Sequence, residues 1–477
     1  MKKLKKLFLF LIPAVFALSL LVSCGDAEEE DDGIAYEAPE SGITINKLQL
    51  ISIGPGADCS NEMTANWHSP VPVNYIEFTT ADDTAFAKSR KIWVKAELTK
   101  GAFTGTNGVQ YGWCSNKALD NTKFYVCKAT LTNLKANTDF IYRVGTNGPN
   151  AMVSDTYKFK TASSNGEQFS FFWAADLHTP SGSSSYVKRI SELINYSNKK
   201  LKNASLPEIS HVLFSGDLVE AGAVYQDWLY WDKIPELKEY MWATCVGNHD
   251  YYWYDGYRID GSKARVSCRW QLECTAFPDT NRYTKADGTE VVISPANYWY
   301  LYNRVLFIGV DSMSEETKDG EYKCGVSEEK KWFKAVVEAN KGKFDYLVAF
   351  QHYSCFEAGD VLDWGPYSNW KATYDSCGVD FALGSDTHAY CRTYELYKDK
   401  KVADGQTGTV YVTSPMTEGS ALSAFTNNAT SGNCEYYGDG GEKGGCYFVV
   451  NSDSMTVYTI GSSGMIYDQK SVAKKKR

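Results

Sequence analysis

The sequence predicts two folds in series: an all-β sandwich over residues 43–162, then an α/β layered domain over 168–470. Three observations carry that division. Residues 43–162 break into short alternating strands divided by Gly, Asn and Pro clusters, with no helical periodicity. From about 168, apolar strands alternate with amphipathic helices, the pattern of a layered α/β fold. Five apolar runs of this second region each stop at side chains able to hold a metal.

The 477 residues suffice for two or three cores, and the 14% aromatic content, with 33 Tyr and 13 Trp, argues against disorder. A net charge of -9 leaves no basic footprint for nucleic acid. Residues 1–23 read as an export signal: Lys2, Lys3, Lys5 and Lys6 precede an apolar stretch from Leu7 to Val22. That stretch is short for a membrane span, which needs about 20 residues. It closes on Leu21-Val22-Ser23-Cys24, which resembles the bacterial lipobox and implies lipidation at Cys24. Residues 24–42 then form an acidic tether, opened by Gly25-Asp26-Ala27-Glu28-Glu29-Glu30-Asp31-Asp32. Acidic residues directly after a lipidated Cys resemble the surface-export signals of Bacteroidota lipoproteins. The expected location is therefore the outer membrane, facing outward, with the lipid as the only membrane contact. Of 13 cysteines, twelve remain if Cys24 is acylated, an even number for an oxidising compartment. Several disulfides are expected, with Cys434–Cys446 and Cys268–Cys274 as local pairs. No CxxC is present to form a zinc ribbon.

Strands are expected around Met63–Trp67, Lys91–Ala96 and Phe140–Val144. The phrase Leu131-Thr132-Asn133-Leu134-Lys135-Ala136-Asn137-Thr138 resembles the E–F corner of a fibronectin type III domain. A sandwich of that kind precedes the catalytic domain in purple acid phosphatases, and it reads as a spacer or docking module. In the second region, Val187, Ile190, Leu193 and Ile194 share one face of a helix between Tyr186 and Lys200. Phe333, Val336 and Val337 do the same between Ser327 and Asn340. Cys446–Val450 and Met455–Ile460 form a closing hairpin, and residues 471–477 a basic tail.

The five strand ends carry the chemistry. They deliver Asp176-Leu177-His178, Gly216-Asp217, Gly247-Asn248-His249-Asp250, His352, and Asp386-Thr387-His388. Ligands of open α/β sheets bind beyond the carboxyl ends of strands, so these ends can converge. Four of the six histidines fall in these segments; the others, His68 and His211, sit in strands and read as structural. Asp-x-His offers an oxygen and a nitrogen to one ion, and Asp217 can bridge two ions about 3.5–4 Å apart. Asn248 supplies a neutral oxygen and His352 a nitrogen. His249 is then available for acid–base work, with Asp250 to orient it.

In order and spacing, these segments resemble the calcineurin-like metallophosphoesterases, whose pattern is DxH, GDxxx, GNH(D/E), a lone His, and GHxH. The resemblance spans about 168–392. It implies an αββα two-sheet sandwich and hydrolysis of a phosphate ester by a dinuclear centre of divalent ions (Mn, Fe, Mg or Zn). A metal-bridging water would be the nucleophile, with His249 assisting the leaving group. It further implies one ion on Asp176, His178, Asp217 and His388, and a second on Asp217, Asn248, His352 and whatever replaces the first His of GHxH. Two departures stand out. Purple acid phosphatases place Tyr three residues after the bridging Asp, where this chain has Glu220, read as structural. Where GHxH has its first His, this chain has Asp386; as a ligand it makes the second site oxygen-rich and favours Mn²⁺ or Mg²⁺ over Zn²⁺.

Remaining features point to structure first: Asp311 at a strand end, Arg392 in an ion pair, and the aromatic segments Tyr251–Tyr254 and Asn297–Tyr300 as core or as pocket wall. The competing expectation from another class is a surface lipoprotein that binds a nutrient or glycan, with a degenerate metal site.

Overall fold

The computed structural model describes residues 33–99, 122–179, 185–251, 269–313, 325–357, 360–361, 369–417, 432–437 and 443–477. The signal 1–23, Cys24, the start of the tether, Cys268, and Tyr252, Trp253 and Tyr254 lie outside the described residues. Residues Ile34–Arg477 form one compact unit.

Two four-stranded sheets make the sandwich. One runs Gln49–Pro55, Met63–Ser69, Tyr125–Leu131, Glu97–Leu98; the other runs Arg90–Lys95, Val73–Thr80, Asp139–Thr146, Tyr157–Lys160. Period-two alternation builds its core: in Tyr125–Leu131, positions 125, 127, 129 and 131 are buried. Met63–Ser69 departs from alternation and is buried along its whole length. Trp67 packs into the sandwich, while His68 turns to the second domain, with its ring nitrogens 2.8 Å from the Tyr225 hydroxyl and 2.9 Å from the Glu273 carbonyl. Backbone bonds Cys59 N–H to Leu301 O and Leu301 N–H to Ala57 O (both 2.9 Å) add to this seam. The sandwich thus shares a continuous core with the second domain, which a simple spacer would not do. Burial pushes His68 and His211 down to about 3, so both are neutral, structural imidazoles, as the sequence indicated.

The second domain is an αββα sandwich. Its first sheet runs Met241–Thr244, Ile209–Phe214, Phe169–Ala174, Gly444–Val450, Ser454–Gly461, Ile466–Ala473. The closing hairpin therefore lies beside Phe169–Ala174 rather than at an edge. The second sheet runs Tyr298–Tyr302, Val305–Gly309, Tyr346–Tyr353, Phe381–Ser385, Thr409–Thr413, Cys391–Tyr397, Lys400–Lys401, with Cys434–Tyr437 also on Cys391–Tyr397. Phe171, Phe448, Phe307 and Phe381 interlock between the sheets; Phe171 stacks on Phe448 at 4.5 Å and meets Phe307 edge-on at 5.3 Å. Outside, helix Ser185–Asn203 buries Ile190, Leu193, Ile194 and Leu201 on the first sheet. Helix Gly325–Ala339 buries Trp332, Phe333 and Val336 on the second. Each such side chain contributes about 1.5–3 kcal/mol relative to exposure.

The expected Cys434–Cys446 pair needs correction. The nine described cysteines form no disulfide. Cys434 does not meet Cys446: its sulfur lies 3.8 Å from that of Cys391, while Cys446 is buried with its sulfur 3.6 Å from Thr459 Oγ1. The strands holding Cys434 and Cys446 belong to different sheets, a separation that sequence distance hides. The basic residues at the chain end are docked too, with Lys475 and Arg477 ion-paired to buried Asp380.

Candidate metal centre

Parallel strands of both sheets end at one place. Phe169–Ala174, Ile209–Phe214 and Met241–Thr244 run parallel in the first sheet, and Tyr346–Tyr353, Phe381–Ser385 and Thr409–Thr413 in the second. Just beyond the ends of these strands, or at the end of one, stand all the predicted ligands. Five of the seven have left-handed backbones: Asp176 (φ 53°), His178 (46°), Asp217 (50°), Asp386 (76°) and His388 (56°). Such conformations cost about 1–3 kcal/mol each and persist where surroundings over-determine them. Hydrogen bonds supply that constraint: Leu177 and His178 N–H both donate to the Asp217 carbonyl (2.9 and 3.0 Å). At Gly247 an added Cβ would lie 2.1 Å from Asp217 Oδ1, so only glycine lets the two loops meet.

The side chains fall into two groups joined by Asp217. Its Oδ2 lies 3.5 Å from His178 Nε2, and its Oδ1 lies 3.3 Å from His352 Nε2. On the first side, His178 Nε2 is 3.1 Å from His388 Nε2, and His388 Nε2 is 3.9 Å from Asp176 Oδ1. On the second, His352 Nε2 is 2.8 Å from Asn248 Oδ1 and 3.6 Å from Asp386 Oδ1. Asp386 thus faces the cluster from the position of the missing histidine. The far nitrogen of His352, Nδ1, lies 2.8 Å from the Ser215 carbonyl and 2.9 Å from Ser385 Oγ, which fixes the ring. Ser385 was not singled out from the sequence; its place beside Asp386 was the available signal.

The residues fit a pair of cations. Asp176 is fully buried, and neither of its carboxylate oxygens has a hydrogen-bond partner; Nδ1 of His388 also has none. An unpartnered buried carboxylate is costly unless a cation balances it. Burial accordingly raises Asp176 to about 7, against the pull of the His352 charge. At His178 burial pulls down, but the Glu220 contact and the charges of Asp217, Glu220 and Asp176 outweigh it and raise the imidazole to about 9. His352 is likewise raised well above its usual value against burial, chiefly by Asp217. Asp217 is held well below the carboxylate range by His352, His249 and His178, again against burial. Protons on these imidazoles balance charge that a dication balances when bound.

His249 and Asp250 take unequal places. His249 stands 4.3 Å ring-to-ring from His178, its side chain 20% exposed at the mouth. Burial lowers its pKa. Asp250 does not fill the expected orienting place. Its Oδ1 accepts the Leu218 and Val219 N–H groups (3.0 and 3.3 Å) and its Oδ2 the Gly247 N–H (2.9 Å), which ties the Asp217 loop to the Asn248 loop. The partner of His249 Nδ1 is instead the Glu220 carbonyl, at 2.8 Å. Glu220 also meets His178, so the structural role read from the sequence misses two contacts at the site. Among the described residues, the other reserved ones are structural. Arg392 pairs with Asp468 and Glu435, Tyr251 donates to Asp311, and Tyr298 and Tyr300 are fully buried in the core.

Comparison with known proteins agrees with this geometry. Residues 49–161 match the purple acid phosphatase N-terminal domain, and residues 169–390 match the calcineurin-like phosphoesterase family. No curated protein matches the chain. Among solved structures, a purple acid phosphatase from yellow lupin (Lupinus luteus) seeds is similar at 16% identity and a TM-score of 0.63, over 90% of this chain and 74% of that one. The structure titled PhoD is similar at 12% identity and a TM-score of 0.58, over 92% of each chain. At these identities the structures show a shared fold. The phosphoesterase domain implies a dinuclear divalent centre, and the Asp/His cluster fits one.

Proposed function

We propose that this chain, a calcineurin-like phosphoesterase with a purple acid phosphatase N-terminal domain, hydrolyses small phosphate esters at a two-metal centre spanning both sheets. One observation carries the reading: the two oxygens of Asp217 face different imidazoles, 3.5 Å from His178 and 3.3 Å from His352. That is the placement a bridging carboxylate needs. Asp176, His178 and His388 would hold one ion with Asp217; Asn248, His352 and Asp386 would hold the other. When bound, such a pair supplies Lewis-acid binding of phosphoryl oxygens and a water acidic enough to attack phosphorus in line.

The chain's own groups position and transfer protons. His249 Nδ1 faces the Glu220 carbonyl and donates to it, so a second proton on this ring sits on Nε2. Burial lowers the pKa of this imidazole, so that proton is readily given to a departing oxygen. Asp250 holds the loops of Asp217 and Asn248 in register, a role in geometry rather than in proton transfer. The substitution at Asp386 leaves a carboxylate facing His352, so it does not favour the nutrient- or glycan-binding alternative.

The test uses chain beginning after Cys24, stripped of metal and resupplied separately with Mn²⁺, Mg²⁺, Fe²⁺ or Zn²⁺. Paired aryl phosphate monoesters and diesters with good and poor leaving groups serve as substrates. Metal-dependent turnover is expected, and His249→Ala slows poor leaving groups about 10²–10⁴-fold, good ones less. A folded chain inert with every ion would overturn the hydrolase reading; equal slowing of both leaving groups would remove His249 from its role. The proposal extends to an outer-membrane lipoprotein anchored through Cys24, on the lipobox resemblance. Cys24→Ala should release the protein from the membrane fraction, and retention there would end that part.

A further inference from the structure

We infer that Glu220 is a positioning residue of the first metal pocket, fixing the tautomer and tilt of His178 from the side away from the ion. The inference rests on the two-metal reading above. Glu220 Oε2 lies 3.3 Å from His178 Nδ1, while His178 Nε2 points the opposite way, to His388 Nε2 (3.1 Å) and Asp217 Oδ2 (3.5 Å). A neutral imidazole presents a lone pair on only one nitrogen. A carboxylate that accepts the proton of Nδ1 therefore makes Nε2 the ligand atom, and such outer partners set ligand orientation and basicity.

Glu220 is built into this place. Its N–H donates to the Thr179 carbonyl (3.0 Å), which joins its backbone to the residue after His178. Thr179 and Val219 also form a parallel bridge, so the two loops run side by side. The Glu220 carbonyl accepts from His249 Nδ1 at 2.8 Å, which leaves the carboxylate to His178; its other oxygen is 3.6 Å from His249 Nδ1. The side chain is only 17% exposed. A single residue thus sets the proton position on two histidines, one through its carboxylate and one through its backbone. Substitution removes the first contact and keeps the second.

His178, Glu220 and His249 also form a group close enough to hold a cation themselves, and the test separates that role from positioning. Full chain carrying Glu220→Ala or Glu220→Gln is stripped of metal. Affinity is measured by competition with a chromophoric chelator, and bound ions are counted by elemental analysis. Ring tautomers are read by ¹⁵N NMR of the histidines in chain reloaded with Zn²⁺, where the ion replaces the second proton of His178. Glu220→Ala should weaken the ion on His178 by about 10–100-fold, keep two ions at saturation, and mix the His178 tautomers. Glu220→Gln, whose amide oxygen still accepts the Nδ1 proton, should recover most of the affinity; it alone decides the matter if the alanine variant fails to fold. Wild-type affinity and an unchanged His178 tautomer would overturn the inference. Loss of one ion even at saturation would also overturn it, by making Glu220 a ligand. A wild-type chain that binds two ions but hydrolyses no ester would defeat the hydrolase reading and leave these measurements standing.

Discussion

The two proposed metal pockets share Asp217 but differ in donors and in burial. The first has two oxygens, from Asp176 and Asp217, and two nitrogens, from His178 and His388. The second has three oxygens, from Asp217, Asn248 and Asp386, and one nitrogen, from His352. The first is walled by fully buried Asp176, whereas Asp386 stands 20% exposed at the rim of the second. On the two-metal reading, Asp386 in place of a histidine would make the second pocket the harder of the two. Oxygen-rich sites favour Mn²⁺ and Mg²⁺, and a pocket with two imidazoles tolerates softer ions.

Removing the shared carboxylate should have the largest effect. Asp217→Asn is expected to lower occupancy of both pockets and to cost about 4 kcal/mol of transition-state stabilisation, roughly a thousandfold in turnover. Asp176→Asn and Asp386→Asn should each empty one pocket only. Elemental analysis checks all three, and loss of a single ion in Asp217→Asn would break the comparison at its centre. A smaller effect is expected from Asp386→His. It should raise the preference for Zn²⁺ over Mn²⁺ and move the pH–rate profile acidward by about one unit. A unit charge about 4 Å away is worth up to ~4 kcal/mol at an effective dielectric of about 20. An unchanged profile would take Asp386 out of the ligand set.

A separate effect is on stability without metal. His178 is raised to about 9 from an ordinary 6.5. A raised folded pKa gives stability that is full below 6.5 and lost as pH rises through 9. Metal-stripped chain should therefore lose about 3 kcal/mol across that window, while Mn²⁺-loaded chain stays level because the ions replace the protons. Thermal melts in chelator and in Mn²⁺ at pH 6.5, 7.5 and 8.5 measure the difference. A level profile in chelator would mean that His178 is not held charged by Asp217 and Glu220.

The strand-end motifs, the helices near 185–203 and 325–339, and the change of grammar near 168 were legible because each is local. Periodicity marks a buried face wherever the chain goes, and an apolar run that stops at Asp or His needs no partner to be seen. The same locality explains His68 and His211, which lie within strands and are buried. What depended on partners was not legible. Asp250 looked like the orienting group for His249 because it is adjacent in sequence. In the fold its carboxylate turns to the N–H groups of Leu218, Val219 and Gly247. Glu220 looked structural because nothing nearby in sequence required it, yet the turn that brings Thr179 beside Val219 carries it to His178.

By itself the sequence determined the order of the two folds and which metal-competent side chains stand at the strand ends, since each rests on residue type and local spacing. Tertiary structure decided which oxygen of Asp217 faces which imidazole, that Cys434 lies by Cys391 rather than Cys446, and that the sandwich shares the core of its neighbour. These are distances between segments far apart in the chain, set by how the sheets stack and where glycines allow loops to touch. No local periodicity encodes them.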